Sequence, residues 1–116
     1  MDKKNLTIKE TFALAIQNHQ RNNLQVAEKL YKEILKKNPS HVDAYNNLGA
    51  ALQGLKKFEK AKTCYERVLN LDPFNNGTHL NYGELLLSLN QHAKGLEHII
   101  KGSGCIKFTQ KNFKII

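Results

Sequence analysis

The chain repeats itself every 34 residues. Ala27, Tyr31 and Pro39 return as Ala61, Tyr65 and Pro73. Leu14-Ala15 returns as Leu48-Gly49 and again as Tyr82-Gly83. A fixed interval of this length marks an array of helical hairpins, each too small to bury its apolar face alone and so obliged to stack on the next. That constraint points to a binding scaffold before it points to an enzyme. At 116 residues the array fits one domain with one continuous core.

Local signals place six helices. Thr7-Ile8-Lys9-Glu10 reads as a capping box opening the first, with Phe12, Ala13, Ala15 and Ile16 at helical spacing. Asn22-Asn23 is a natural turn and cap. The second helix runs from near Leu24 to about Lys37, with Ala27, Leu30, Tyr31 and Ile34 on its apolar face. Pro39 closes it, because proline has no N–H and clashes with the preceding turn. Ser40 is the expected cap of the third helix, which carries Ala44, Leu48, Ala51 and Leu52 and stops around Gly54. The fourth carries Phe58, Ala61, Tyr65 and Val68 and is closed by Pro73. The fifth covers about Asn76 to Leu89. The sixth covers about Gln91 to Lys101 and is expected to break at Gly102. Two sets of small residues, Ala15/Gly49/Gly83 and Ala27/Ala61/Gly95, share the 34-residue interval and mark where paired helices approach closely.

These residues resemble the signature of the tetratricopeptide repeat family. The second unit, about 42–75, fits best through Tyr45, Leu48, Gly49, Ala61, Tyr65 and Pro73. The first, about 8–41, keeps Leu14, Ala15, Ala27, Tyr31 and Pro39, with Thr11 where a large residue is common. The third, about 76–101, keeps Tyr82, Gly83 and Leu86 and then decays: Ile99 replaces the aromatic and Gly102 falls where Ala is usual. The resemblance implies an all-α fold, a right-handed superhelix of helical hairpins over 8–101. A short lead, 1–7, precedes it, and a tail, 102–116, follows. The tail holds Ile106, Phe108, Phe113, Ile115 and Ile116, and is the expected cap on the third repeat. Contact with a second copy, or a junction to a following domain, is the alternative.

In the family, the first helix of each pair lines a concave groove that binds peptides or partner domains. By register, groove positions include Lys9, Phe12, Ala13, Ile16, His19 and Gln20. The second repeat supplies Asp43, Asn46, Asn47, Ala50 and Gln53, and the third Leu80, Asn81, Glu84 and Leu87. Asn47 and Asn81 stand one repeat apart and are expected one above the other on the inner wall. An amide there can pair with a backbone group whatever the ligand's side chains, as in family members whose asparagine ladder holds extended polypeptides. The alternative is that each Asn bonds a neighbouring helix and stabilises the stack. Chaperone-binding members grip a terminal carboxylate with a clamp of Lys, Asn, Asn, Lys and Arg. Only Asn47 matches. Phe12, Ile16, Gly77 and Asn81 take the other places, so that mode is not expected.

The net charge is +8, spread as +4 over 1–41, +1 over 42–75 and +3 over 76–116. The longest basic clusters are pairs such as Lys36-Lys37, so a nucleic-acid arm is missing and a basic RNA-binding role is the weaker alternative. Lys29, Lys32, Lys36, Lys60, Lys62 and Arg67 fall on the outward second helices. Cys64 and Cys105 have no CxxC spacing, and no two of the five histidines lie four apart; they read as surface or groove residues, and no metal or cofactor is expected. Glu10, Glu28, Glu33, Glu59 and Glu66 read as solvated acids pairing with lysines. Cys64 reads as a small buried thiol. No catalytic constellation emerges. No stretch is long enough to span a bilayer, and Met1–Asn5 lack the apolar stretch of a signal peptide. The expected protein is a cytoplasmic, non-enzymatic scaffold for a protein or peptide partner. The alternative is an N-terminal interaction or targeting part of a larger transferase- or oxygenase-type protein. The third repeat or the tail is the place for any self-association.

Overall fold

The computed structural model of the protein describes residues 6–103. The expectations for the first five residues, for Cys105 and for the tail beyond Ser103 lie outside the described residues. Six helices follow in order: α1 (Ile8–Gln20), α2 (Leu24–Lys37), α3 (Val42–Gly54), α4 (Phe58–Leu71), α5 (Asn76–Ser88) and α6 (His92–Ser103). Each packs on its neighbour in the chain, so the fold is three hairpins laid side by side.

Helix ends follow from local chemistry. Thr7 Oγ1 accepts from the Glu10 backbone N–H at 3.1 Å while the Glu10 carboxylate accepts from the Thr7 N–H at 2.9 Å, the reciprocal box expected. Asn38 and Asp72, the residues before the two prolines, are extended at φ −140° and −146°, which ends α2 and α4. The turns inside the hairpins place Asn22, Lys56 and Asn90 at φ 65°, 63° and 66°, one left-handed residue per repeat. Asn tolerates that region; Lys56 occupies it against its Cβ.

Two boundaries depart from the sequence expectation. The cap of α3 is His41, not Ser40. The Asn38 side chain accepts the Ser40 N–H at 3.1 Å, which ties Ser40 into a turn, and His41 Nδ1 accepts from the Ala44 N–H at 3.0 Å. Gly102 does not break α6, which continues to Ser103 with Gly102 buried. A Cβ there would lie 2.7 Å from the Asn76 carbonyl oxygen and 2.8 Å from the Leu80 nitrogen, so its bareness lets α6 close onto the start of α5.

The core runs along the whole array. Tyr31, Ile34, Ala44, Leu52, Tyr65, Val68, Leu85 and Leu86 are buried. The small-residue sets sit where helices touch. A Cβ on Gly49 would meet the Tyr65 ring at 2.5 Å. Gly83 and Gly95 face each other, each with the other's carbonyl oxygen within 2.9 Å of its missing Cβ. This close approach makes α5–α6 the most densely packed pair, while the seam between α4 and α5 is sparser than that between α2 and α3.

Candidate functional site

The first helices, α1, α3 and α5, form one row. The structure places every groove candidate on it. Lys9, Ala13, Asp43, Leu80 and Glu84 are exposed. Phe12, Ile16, His19, Asn46, Asn47, Ala50, Gln53, Asn81 and Leu87 are half-buried. The row is therefore apolar at α1, amide-rich at α3 and mixed at α5.

Two of these candidates are held by their own hairpin. Tyr31 Oη lies 3.0 Å from His19 Nδ1, and the Tyr65 hydroxyl donates to Gln53 Oε1 at 2.9 Å. The pairs are one repeat apart. In the third repeat the same places hold Leu87 and Ile99, which cannot form a polar tie. Burial pushes the Tyr31 hydroxyl up to about 12, with Asn47 pulling it partly back, and burial pushes Tyr65 up as well. Both phenols remain donors at any physiological pH. Burial also holds His19 below the usual imidazole value, which favours the neutral ring.

Neighbouring first helices are joined differently along the row. Phe12 packs on His41 in a tilted arrangement with ring centroids 5.3 Å apart, tying α1 to the start of α3. Asn46 Oδ1 accepts from the Thr78 hydroxyl at 2.7 Å and from Asn81 Nδ2 at 3.2 Å, tying α3 to α5. Asn81 thus bonds to Asn46, the residue just before its repeat equivalent Asn47. Asn46 Nδ2 and Asn81 Oδ1 make no hydrogen bond within the described residues. No buried side-chain polar atom there is unpaired, so both carry solvent-accessible surface. Asn46 Nδ2 thus keeps both its N–H donors and Asn81 Oδ1 its acceptor sites, a free donor group on α3 and a free acceptor on α5.

One histidine and one acid are buried where the sequence suggests solvent contact. His79 is buried, its Nε2 2.8 Å from the Pro73 carbonyl oxygen and its Nδ1 2.8 Å from His98 Nδ1. With Nε2–H given to Pro73, a neutral His79 accepts at Nδ1 and His98 donates. The stacked rings lie beside Tyr82, whose hydroxyl donates to Glu66 at 2.8 Å. Glu28 is buried rather than solvated, and both its oxygens are taken by Lys32 and Lys57. The lysines of the second helices otherwise point outward, and the Arg67 guanidinium lies 5.9 Å from the Tyr45 ring centre.

Thr78, His41 and the joining role of Asn46 were not legible. Thr78 directly follows the exposed Gly77 and has no repeat partner of its own type. Burial lifts the Cys64 thiol to about 11, so it stays protonated and poorly nucleophilic at neutral pH. Among the described residues, no group of three or more His, Cys, Asp and Glu could hold a metal ion, and no helix is long and apolar enough to cross a membrane.

Two family models described as tetratricopeptide repeat match the chain, one over residues 42–75 and one over 13–55. The mitochondrial import receptor subunit TOM70 of Mus musculus is 37% identical over 94 residues, covering 78% of this chain and 15% of TOM70. The Homo sapiens protein is 35% identical over the same share of this chain. The protein O-mannosyl-transferase TMTC3 of Mus musculus is 34% identical over 62 residues, 53% of this chain and 7% of TMTC3. The chain thus spans a small fraction of these relatives. Among solved structures, the TPR2B domain of yeast Sti1, in its complex with pHsp70, superposes with a TM-score of 0.77 at 21% identity, covering 82% of this chain and 76% of that one. A MamA structure superposes at 0.75 and 22% identity, covering 89% and 59%. These likenesses establish the fold.

Proposed function

The chain belongs to the tetratricopeptide repeat family, and on that premise we propose that it is a non-catalytic interaction module whose row of α1, α3 and α5 takes an extended peptide or a partner helix. The observation that carries this reading is the free pair at the α3–α5 seam. Asn46 Nδ2 is an unspent donor and Asn81 Oδ1 an unspent acceptor, each already oriented by the bond between the two amides. An extended backbone offers one C=O and one N–H per residue, which such a pair reads without regard to side chain. Phe12, Ile16 and the 36%-exposed Leu80 add apolar contact on either side. Orientation by Thr78 lowers the ordering cost of binding. TOM70 is named as a receptor and the Sti1 domain was solved with a bound partner, which supports recognition as the working mode.

The test is a peptide selected from a random display library against the whole chain, titrated by calorimetry. Asn81→Ala, which leaves the Thr78–Asn46 bond in place, should weaken it at least fivefold while the melting temperature moves little. Unchanged affinity would refute the inner row as the site, and a collapse in melting temperature with no binding change would make the amides purely structural. A second reading is favoured by the share matched in the relatives: TOM70 and TMTC3 carry this repeat unit as a small part of much longer chains. In that reading the module is the recognition part of a larger, transferase-type protein. A reading frame in the source genome that joins these repeats to such a domain would support it.

A further inference from the structure

The outer side of the first two repeats carries a second surface that the inner row does not use. Two open hollows of about 440 and 400 Å³ share Gln25 and Val26 and so form one trough at the turn end of the first two hairpins. One half is mixed, with Leu24, Leu55 and the 45%-exposed Val26 offering apolar surface beside the polar Asn22, Asn23 and Gln25. Its other half is cationic, with Lys29, Lys32 and Lys57 on its walls.

Two of those lysines are built in place. Glu28 is only 8% exposed, and its two oxygens accept from Lys32 at 2.8 Å and from Lys57 at 3.3 Å. One buried carboxylate therefore fixes two ammonium groups from different hairpins at the edge of the hollow. Each ammonium has three N–H groups and spends one on Glu28, leaving two to donate. With Lys29, three cations face one acid, so the lining keeps a surplus of two positive charges.

The arrangement is not something the repeat requires. One repeat on, the places of Val26, Glu28, Lys29 and Lys32 hold Lys60, Lys62, Thr63 and Glu66, and the place of Lys57 holds Gln91. Helices α4 and α5 still pack there, more sparsely, without the buried carboxylate or its two lysines.

We propose that this trough is a second docking surface for an acidic peptide segment, an aliphatic side chain seated on Leu24, Val26 and Leu55 and flanking carboxylates on Lys29, Lys32 and Lys57. Charge complementarity selects the occupant. Carboxylates meet preset donors and form charge-assisted hydrogen bonds. A single-stranded RNA would share the charge but needs aromatic or guanidinium faces for its bases, and none lines the trough.

The test uses the full ¹⁵N-labelled chain and two N-acetylated, C-amidated peptides, Asp-Glu-Leu-Glu-Asp and its neutral counterpart Asn-Gln-Leu-Gln-Asn. The acidic peptide should give saturable amide shifts over residues 22–32 and 54–57 and bind at least fivefold tighter than the neutral one. Lys29→Glu, at an exposed position with no ion-pair partner among the described residues, should weaken it at least fivefold with an unchanged circular dichroism spectrum. Asn81→Ala should leave it unchanged, which separates this surface from the inner row. Shifts confined to α1, α3 and α5, equal affinity for both peptides, or no saturable shift would overturn the proposal. So would tighter binding of an oligouridylate to the same residues.

Discussion

Gly83→Ala isolates the packing argument in one methyl group. A Cβ at Gly83 would stand 2.7 Å from the Gly95 carbonyl oxygen, 3.0 Å from the Ile99 nitrogen and 2.6 Å from Ile99 Cγ1. Two of these atoms are backbone and cannot rotate away, so α5 and α6 must part. A gap of roughly 0.5–1 Å forfeits a quarter to a half of each dispersion contact along the seam. Overpacking of this kind costs about 1–3 kcal/mol, and a backbone obstacle argues for the upper end. Alanine regains about 1 kcal/mol of helix propensity. The net expectation is a loss of about 2 kcal/mol, or roughly 8–16 °C in melting temperature for a domain of this size. Gly77→Ala is the control. Gly77 is exposed, and its nearest atom would be an ordinary 3.6 Å from the new Cβ, so the propensity term should win by about 0.5 kcal/mol. Urea melts followed by circular dichroism read both, and hydrogen exchange should show the Gly83→Ala loss concentrated in α5 and α6. A Gly83→Ala protein as stable as the parent would refute the claim that bareness at this position sets the spacing of the third hairpin.

Three further expectations follow from other parts of the fold. Lys56→Asn should stabilise by about 0.5–1 kcal/mol in urea melts, because Asn already serves at the two equivalent left-handed turns. Tyr65→Phe should cost about 1 kcal/mol in urea melts through the lost bond to Gln53, and Gln53→Leu added to it should recover much of that by removing the stranded amide, the third repeat carrying the apolar Leu87 and Ile99 at these places. Stability should fall in two steps with acid. His98 is held below the usual imidazole value by burial and then by the neighbouring His79, and His19 by burial alone. The unfolded chain binds those protons more readily, so stability is full above pH 6.5 and declines as pH drops through it. Glu28 is held below the usual carboxylate value, chiefly by its hydrogen bond to Lys32, so its contribution is lost only further down, below about pH 4.5. A melting-temperature series from pH 8 to pH 3 should show both steps. His19→Gln with His98→Gln should flatten the first.

Much of the architecture was legible because the repeat fixes it. Pro39 and Pro73 end α2 and α4, and the small residues at 34-residue spacing mark the helix contacts. What escaped depends on partners distant in sequence. Ser40 has the better capping side chain, but Asn38 holds its N–H, and the cap passes to His41. Gly102 reads as a breaker until Asn76 and Leu80, more than twenty residues away, are seen filling the space where its side chain would be. Glu28 looks solvated until Lys57 arrives from the next hairpin, and His79 finds His98 across α5 and α6 at a spacing no single-helix pattern shows. On the inner row, register placed Asn46, Asn47 and Asn81 on the first helices. Which two amides meet is decided by side-chain geometry that periodicity does not carry.

The central claim is that the row of first helices is the working surface. It is tested most directly by attaching a nitroxide to a library-selected peptide and recording paramagnetic broadening across the ¹⁵N-labelled chain. Broadening centred on Phe12, Asn46 and Asn81, with α2, α4 and α6 spared, is the expected result; broadening centred on the second helices with the inner row sharp would contradict it.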